Sequence, residues 1–239
     1  MILYPAIDLK DGKCVRLLKG DMAAATVYHE DAAAQALEFQ QLGFSHLHVV
    51  DLNGAVSGDL VNQPVVKNIL KSVTLPVQLG GGIRSRAGVE AWLEAGISRV
   101  ILGTVAVKNP ALVKEVARAY PGNIAVGIDA RGGMVATEGW VEASTMRALD
   151  LARMFEDAGV SAIIYTDIAR DGTLAGPNLE ETKALADAVR IPVILSGGIA
   201  NINDLRAVQN AGSIAGIIIG RALYEKTLDA REALALVEK

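Results

Sequence analysis

The 239 residues are 51% hydrophobic and 21% charged, with a formal net charge of −4 and a pI near 5.5. That is ample apolar content for a large core, and it provides no global field to draw in nucleic acid or an anionic membrane. A single cysteine, Cys14, excludes a disulfide framework, and no window is apolar for long enough to span a bilayer.

Met1 to Asp8 has no basic region or small-residue cleavage pattern, so it reads as an immediate strand and the protein as cytoplasmic. Short apolar runs then alternate with helical segments. Strands are predicted over 2–7, 46–50, 77–79, 100–102, 124–128, 162–166, 193–195 and 216–219, and helices over 32–42, 63–70, 86–95, 110–119, 145–157, 179–189, 203–210 and 229–237. Such alternation argues for βα units around a parallel sheet. Asp31 and Asn109 are candidate N-caps and Pro110 suits a first helical turn. The long stretch 10–30 contains Lys13, Arg16, Lys19 and Gly20, which reads as a mobile lid over an anionic ligand or as a solvated charge run. Cys14 reads as a small packed hydrophobe. No linker composition divides the chain, so one domain over 1–239 is expected, and a monomer.

An internal repeat organises the whole. Gly43, Asp51, Asn62, Pro76, Gly81, Gly82, Ile83, Ala95 and Gly96 meet the same residue types 116 positions later, at Gly159, Asp167, Asn178, Pro192, Gly197, Gly198, Ile199, Ala211 and Gly212. Gly103 and Gly220 are 117 apart, and Asp8 and Gly12 match Asp129 and Gly133 at 121. Each half, roughly 1–120 and 121–239, is therefore a (βα)₄ unit. Two of them close into an α/β (βα)₈ TIM barrel with twofold half-barrel symmetry; an open doubly wound sheet would not need the echo.

Active sites of such barrels lie at the C-terminal strand ends. Asp8 and Asp129 end the first and fifth strands, which face each other across the mouth, and so suit an acid and a base acting on one substrate. Either aspartate alone could instead cap a loop. Gly81-Gly82-Ile83-Arg84 with Gly103-Thr104 forms one candidate phosphate cradle, and Ser196-Gly197-Gly198-Ile199 with Gly220-Arg221 the other. Glycines that merely relieve crowding are the structural alternative. Two cradles on opposite rims imply a long ligand with a phosphate at each end.

Thr166 and Asp171 are placed to touch the middle of that ligand, and Trp140 is a stacking platform or a plug over the barrel edge. Asp51 and Asp167 are at least as well explained as loop-positioning residues. His46 and His48 alternate with Leu47 and Val49, so they are expected to face the surrounding helices rather than bind metal. No dinucleotide fingerprint, P-loop or strand-end lysine appears, so no cofactor or metal is expected.

The motifs Tyr4-Pro-Ala-Ile-Asp-Leu9, Gly12-Lys-Cys-Val-Arg-Leu17, Val50-Asp-Leu52, Leu79-Gly-Gly-Gly-Ile-Arg84, Gly127-Ile-Asp129, Thr166-Asp-Ile168, Asp171-Gly-Thr173 and Ser196-Gly-Gly-Ile199 together resemble the phosphoribosylformimino aminoimidazole carboxamide ribotide isomerases of histidine biosynthesis. The resemblance runs over essentially the whole chain. It implies a cofactor-free Amadori rearrangement of a bisphosphorylated aminoaldose to an aminoketose. By position it makes Asp8 the base and Asp129 the acid, with Thr166 and Asp171 assisting, phosphates on the glycine loops, and Trp140 against the aminoimidazole. Activity on phosphoribosyl anthranilate as well, or phosphate-ligand binding without catalysis, stays open. The cyclase of the same pathway shares the half-barrel repeat and both aspartates, but the Pro-Ala-Ile-Asp opening and the Trp140 loop look more like the isomerase.

Overall fold

The computed structural model describes residues 1–58, 61–140 and 142–237. Strands β1 (Ile2–Lys10), β2 (Leu47–Asp51), β3 (Val77–Gly80), β4 (Arg99–Leu102), β5 (Ile124–Arg131), β6 (Ala162–Asp167), β7 (Val193–Ser196) and β8 (Gly216–Ile219) pair parallel in chain order. β8 pairs back onto β1, with Ile2 beside Gly216, and this closes the barrel. The main crossover helices are α1 (Ala32–Leu42), α2 (Gln63–Ser72), α3 (Arg86–Glu94), α4 (Pro110–Ala119), α5 (Ala148–Arg153), α6 (Leu179–Ala188) and α7 (Ile202–Ala211); α8 (Ala230–Val237) follows β8. Asp31 caps α1 and Asn109 caps α4, as their side chains predict. No described helix is long and apolar enough to cross a membrane.

Two segments depart from the sequence prediction. The stretch 10–30 is not a featureless loop: Lys13–Arg16 and Thr26–His29 are antiparallel strands added to the end of β1. The helix expected over 145–157 shrinks to α5, because Glu142–Arg147 pairs with Met134–Thr137 in a second antiparallel extension, beyond β5. Cross-strand pairing outweighed the helical pattern there. Short helices Leu52–Ser57, Thr104–Lys108 and Arg221–Tyr224, absent from the prediction, begin directly after β2, β4 and β8.

Alternation along each strand separates two cores. Leu3, Ile7, Leu47, Val49, Leu79, Leu102, Ile128, Tyr165 and Leu195 join the layer under the helices, while Tyr4, Ala6, Ile101, Ala125, Ala162, Ile164, Ile194 and Ile218 fill the barrel. Asp8 and Asp129 continue the inward set. Asp51 and Asp167 continue the outward one, and there each positions a loop. Gly54 N donates to Asp51 at 3.0 Å and Ala169 N to Asp167 at 2.8 Å, and an asparagine amide meets each carboxylate at 2.6 Å, from Asn62 and Asn178 respectively.

Asn62 is fully buried and does more than its twin. Its Oδ1 accepts from Gly12 N at 2.9 Å, and its Nδ2 also reaches Leu9 O and Asn53 Oδ1. Truncating it strands several buried partners, each costing about 1–3 kcal/mol. Asn62→Ala is expected to lose about 3 kcal/mol or more, with a fall in Tm of roughly 6–12 °C by calorimetry. An unchanged Tm would remove Asn62 from this role.

Candidate active site

The C-terminal strand ends open into a cavity enclosing about 1320 Å³, mouth included, into which Asp8, Asp129, Thr166, Asp171 and Trp140 all project. The hairpins shape it. β1 runs past Asp8, turns at Asp11-Gly12, where φ is 51° and 83°, and returns with Val15 opposite Asp8. Two consecutive positive φ values are those of a two-residue type I′ hairpin, for which Asp-Gly is well suited. β5 does the same at Gly132-Gly133, with φ of 56° and 75°, so the Gly12/Gly133 echo marks equivalent turns.

The first hairpin delivers Arg16. Its Nη1 lies 3.0 Å from Asp8 Oδ2, and both side chains are largely buried, at 9% and 14% exposure. The contact is an ion pair whose N–H is not aligned as a hydrogen bond, and Nε has no hydrogen-bond partner among the described residues. Room for the guanidinium comes from Gly220, where a Cβ would sit 1.9 Å from Arg16 Nη2. Arg16 is therefore not part of a solvated charge run. The usable signal was one arginine inside the apolar run Cys14-Val-Arg-Leu-Leu18. Cys14 is buried as expected, with its Sγ 3.2 Å from Tyr224 Oη.

Three carboxylates surround this cation or face it across the cavity. Burial raises the pKa of Asp8 and the Arg16 charge pulls it back. Asp129 is raised by burial as well, but it is offset only by neutral donors, the Trp140 indole and the Thr166 hydroxyl. Asp171 is pushed up to about 6, chiefly by burial, against the pull of Arg16 and with the repulsion of Asp8 and Asp129.

The glycine turns match across the halves. Gly82 and Gly198 have φ of 72° and 91°, and a Cβ would lie 1.9 Å from Gly54 O in the first and 2.4 Å from Gly176 O in the second. The crowding explanation is therefore physically real at both. Gly81, Gly82, Arg84, Gly103 and Thr104 line one side of the cavity. Ser196, Gly197, Gly198, Gly220 and Arg221 line an adjoining hollow that also includes Arg16 and Asp171. Arg221 donates to Gly172 O at 2.8 Å and Arg84 to Ala55 O at 3.1 Å. Lys108 is a further cation that the sequence inventory omitted. It pairs with Glu138, whose carboxylate also lies 3.9 Å from Arg84 and whose N–H donates to Thr104 Oγ1 at 3.0 Å.

Two orientations differ from expectation or extend it. Trp140 covers the site edge: its ring lies against Gly20, where a Cβ would be 2.2 Å from Cε3, while its indole N–H serves Asp129. It thus joins the two hairpin loops. His48 does not face the helices. It lines the cavity, is 7% exposed, and bonds Gln78 inside the barrel. The outward parity of Leu47 and Val49 requires this, since neighbouring residues on a strand point to opposite faces. Among the described residues no cluster of three or more His, Cys, Asp or Glu side chains is arranged to hold a metal ion.

A family model described as histidine biosynthesis protein matches residues 2–229. Similar proteins from Cereibacter sphaeroides and Paracoccus denitrificans are each 62% identical over 234 residues, spanning 98% of this chain and of the relative. One from Xanthobacter autotrophicus is 61% identical over 239 residues, covering 99% and 98%. All three carry the name 1-(5-phosphoribosyl)-5-((5-phosphoribosylamino)methylideneamino) imidazole-4-carboxamide isomerase. A match of this extent, on a closed barrel whose strand-end carboxylates and glycine turns sit where the repeat put them, makes this chain an isomerase of the histidine biosynthesis protein family.

Proposed function

We propose that the chain isomerises the substrate in its relatives' name, a bisphosphorylated ribosylamine, by an Amadori rearrangement. Asp129 acts as general acid on the ring oxygen, opening the aminoaldose ring. Asp8 then acts as general base on C2, and the resulting enolamine collapses to the aminoketose. One observation carries this: two largely buried carboxylates face one cavity from opposite strands, beside different charged and neutral neighbours. The guanidinium beside Asp8 favours its ionised form, as a base requires. Asp129, raised by burial, has only neutral donors beside it, a setting that suits a proton donor.

The glycine turns with Arg84 and Thr104 on one side, and with Ser196 and Arg221 on the other, support a phosphate grip at each end of the ligand. The helices that start at Thr104 and Arg221 have glycine N-caps and no side-chain cap, so their first N–H groups are open to an anion. In this scheme Thr166 and Asp171 flank the reacting sugar and Trp140 stacks against the imidazole; that all three line the cavity supports it. On this reading residues 1–239 act as one barrel domain, a cytoplasmic monomer on a small substrate, with no cofactor, nucleic acid or membrane needed.

Offered the bisphosphorylated aminoaldose and phosphoribosyl anthranilate in parallel, the purified protein should convert the first; conversion of neither would sink the assignment. Asp8→Asn and Asp129→Asn should each lose on the order of 10²–10⁴ in kcat while keeping the fold and product affinity. Full turnover by either variant removes that residue from its role.

Asp171 supplies a pH test. Its folded pKa, about 6, lies above the unfolded value of 3.8, so the folded state binds the extra proton between them. Its contribution to stability is therefore greatest below the unfolded value and is lost as pH rises through 6. A carbon-13 carboxyl titration of Asp171 should show a midpoint near 6. Chemical denaturation should show wild type losing ground to Asp171→Asn between about pH 4 and about pH 8. A midpoint at the ordinary aspartate value would contradict the buried setting.

A further inference from the structure

His48 is a polar side chain in the cavity that the acid–base scheme leaves without a task. Its protonation state follows from a chain of hydrogen bonds across three neighbouring strands. Arg99 Nη1 donates to Gln78 Oε1 at 3.2 Å. Arginine has no acceptor, so the amide oxygen must be the atom that faces it, and the amide nitrogen faces the other way. That nitrogen lies 2.9 Å from His48 Nδ1. An NH₂ group donates, so Nδ1 accepts and carries no proton. In a neutral imidazole the proton is then on Nε2.

The charged form is disfavoured by the same contact, since an imidazolium would set Nδ1–H against the amide N–H. Burial and the nearby Arg16 charge act in the same direction, bringing the pKa of His48 down to about 3. Of the charged groups, Arg16 on the hairpin acts on the ring directly, and Arg99 is linked to it through Gln78. Nε2 has no partner among the described residues and is not sealed from solvent. In the β1–β2 register His48 lies beside Ala6, whose methyl leaves space around the ring, and Asp8 is the next inward residue on β1, about 7 Å further on.

We propose that His48 is a neutral hydrogen-bond donor to the oxygen on the sugar carbon that Asp8 deprotonates, held with its proton on Nε2 by Gln78 and Arg99. This rests on the rearrangement proposed above. In that step the C2 proton passes to Asp8 and the C2–H electron pair moves toward the imine, leaving an enolamine with a hydroxyl on C2. Ketonisation returns a proton to C1 and releases the hydroxyl proton as the C2 carbonyl forms. A fixed N–H aimed at that oxygen orients it and stabilises its growing partial charge, while His48 neither gains nor loses a proton. Neutrality has its own purpose, because a second cation beside Arg16 would hold Asp8 down as a weaker base.

His48→Leu should lower kcat on the aminoaldose on the order of 10²-fold with KM changed only a few-fold, and His48→Gln, which keeps a donor, should recover about tenfold or more. Nitrogen-15 imidazole spectra of the wild type need no variant. They should show His48 neutral with its proton on Nε2 from about pH 5 to about pH 8, and the Nε2 resonance should shift when the aminoketose product binds. Gln78→Glu should draw the proton to Nδ1 and make the ring titrate near neutrality. Wild-type-like turnover by His48→Leu, an Nδ1–H tautomer, ordinary titration in the wild type, or a product-insensitive Nε2 would each overturn the proposal. Inactivity of the wild type itself on the aminoaldose would instead overturn the reaction reading, and this role with it.

Discussion

Closing eight strands into a ring leaves every strand residue a choice between two environments, and the period of two along a strand makes that choice for all of them at once. On β1 the outward set, Leu3, Ile7 and Leu9, packs under the helices, which obliges Tyr4, Ala6 and Asp8 to point inward. The same parity sends Asp129 and Thr166 inward and Asp51 and Asp167 outward. Two aspartates with similar strand-end positions in the chain therefore work differently. One kind meets the cavity, and the other bonds an asparagine amide and a loop N–H.

A buried carboxylate in such a ring is costly unless something compensates it. Around Asp8 the compensation is a full charge brought back by a two-residue hairpin, and around Asp129 it is a pair of neutral donors. The difference originates in how each half uses its extra strands. Both halves extend their first strand through a Gly-containing turn of the same conformation, but the first hairpin carries Arg16 inward while the second leads to Trp140. Symmetric scaffolding with asymmetric hairpins thus gives two carboxylates that are both raised by burial but are offset by different neighbours, a guanidinium at Asp8 and neutral donors at Asp129.

The hairpin loops are also linked to each other and to the rims. Trp140 lies on Gly20 and serves Asp129, while Glu138, two residues before it, pairs with Lys108 and approaches Arg84. Tyr28 on the first hairpin bonds Glu225, just past the helix that follows β8, and Tyr224 meets both Cys14 and the Ala6 carbonyl. The segments nearest Asp8 and Asp129 are thus anchored at the same strand ends that carry the glycine turns.

Much of this was readable in the amino-acid order. Apolar runs located all eight barrel strands, the 116-residue echo required two equivalent halves, and strand-end position picked out Asp8, Asp129 and both glycine turns, because these signals are local or periodic. Where a side chain goes once hairpins fold back was not readable. Arg16 looks like one charge in a basic loop until the Asp11-Gly12 turn sets Val15 opposite Asp8 and the space at Gly220 admits the guanidinium. The inward face of His48 and its link to Gln78 and Arg99 depend on neighbours 30 and more residues away in the chain. Chain order alone determined the barrel, its twofold plan and the two aspartates. Tertiary packing decided which cation, which tautomer and which neutral donors surround them, since those depend on distances between strands that the sequence does not bring together.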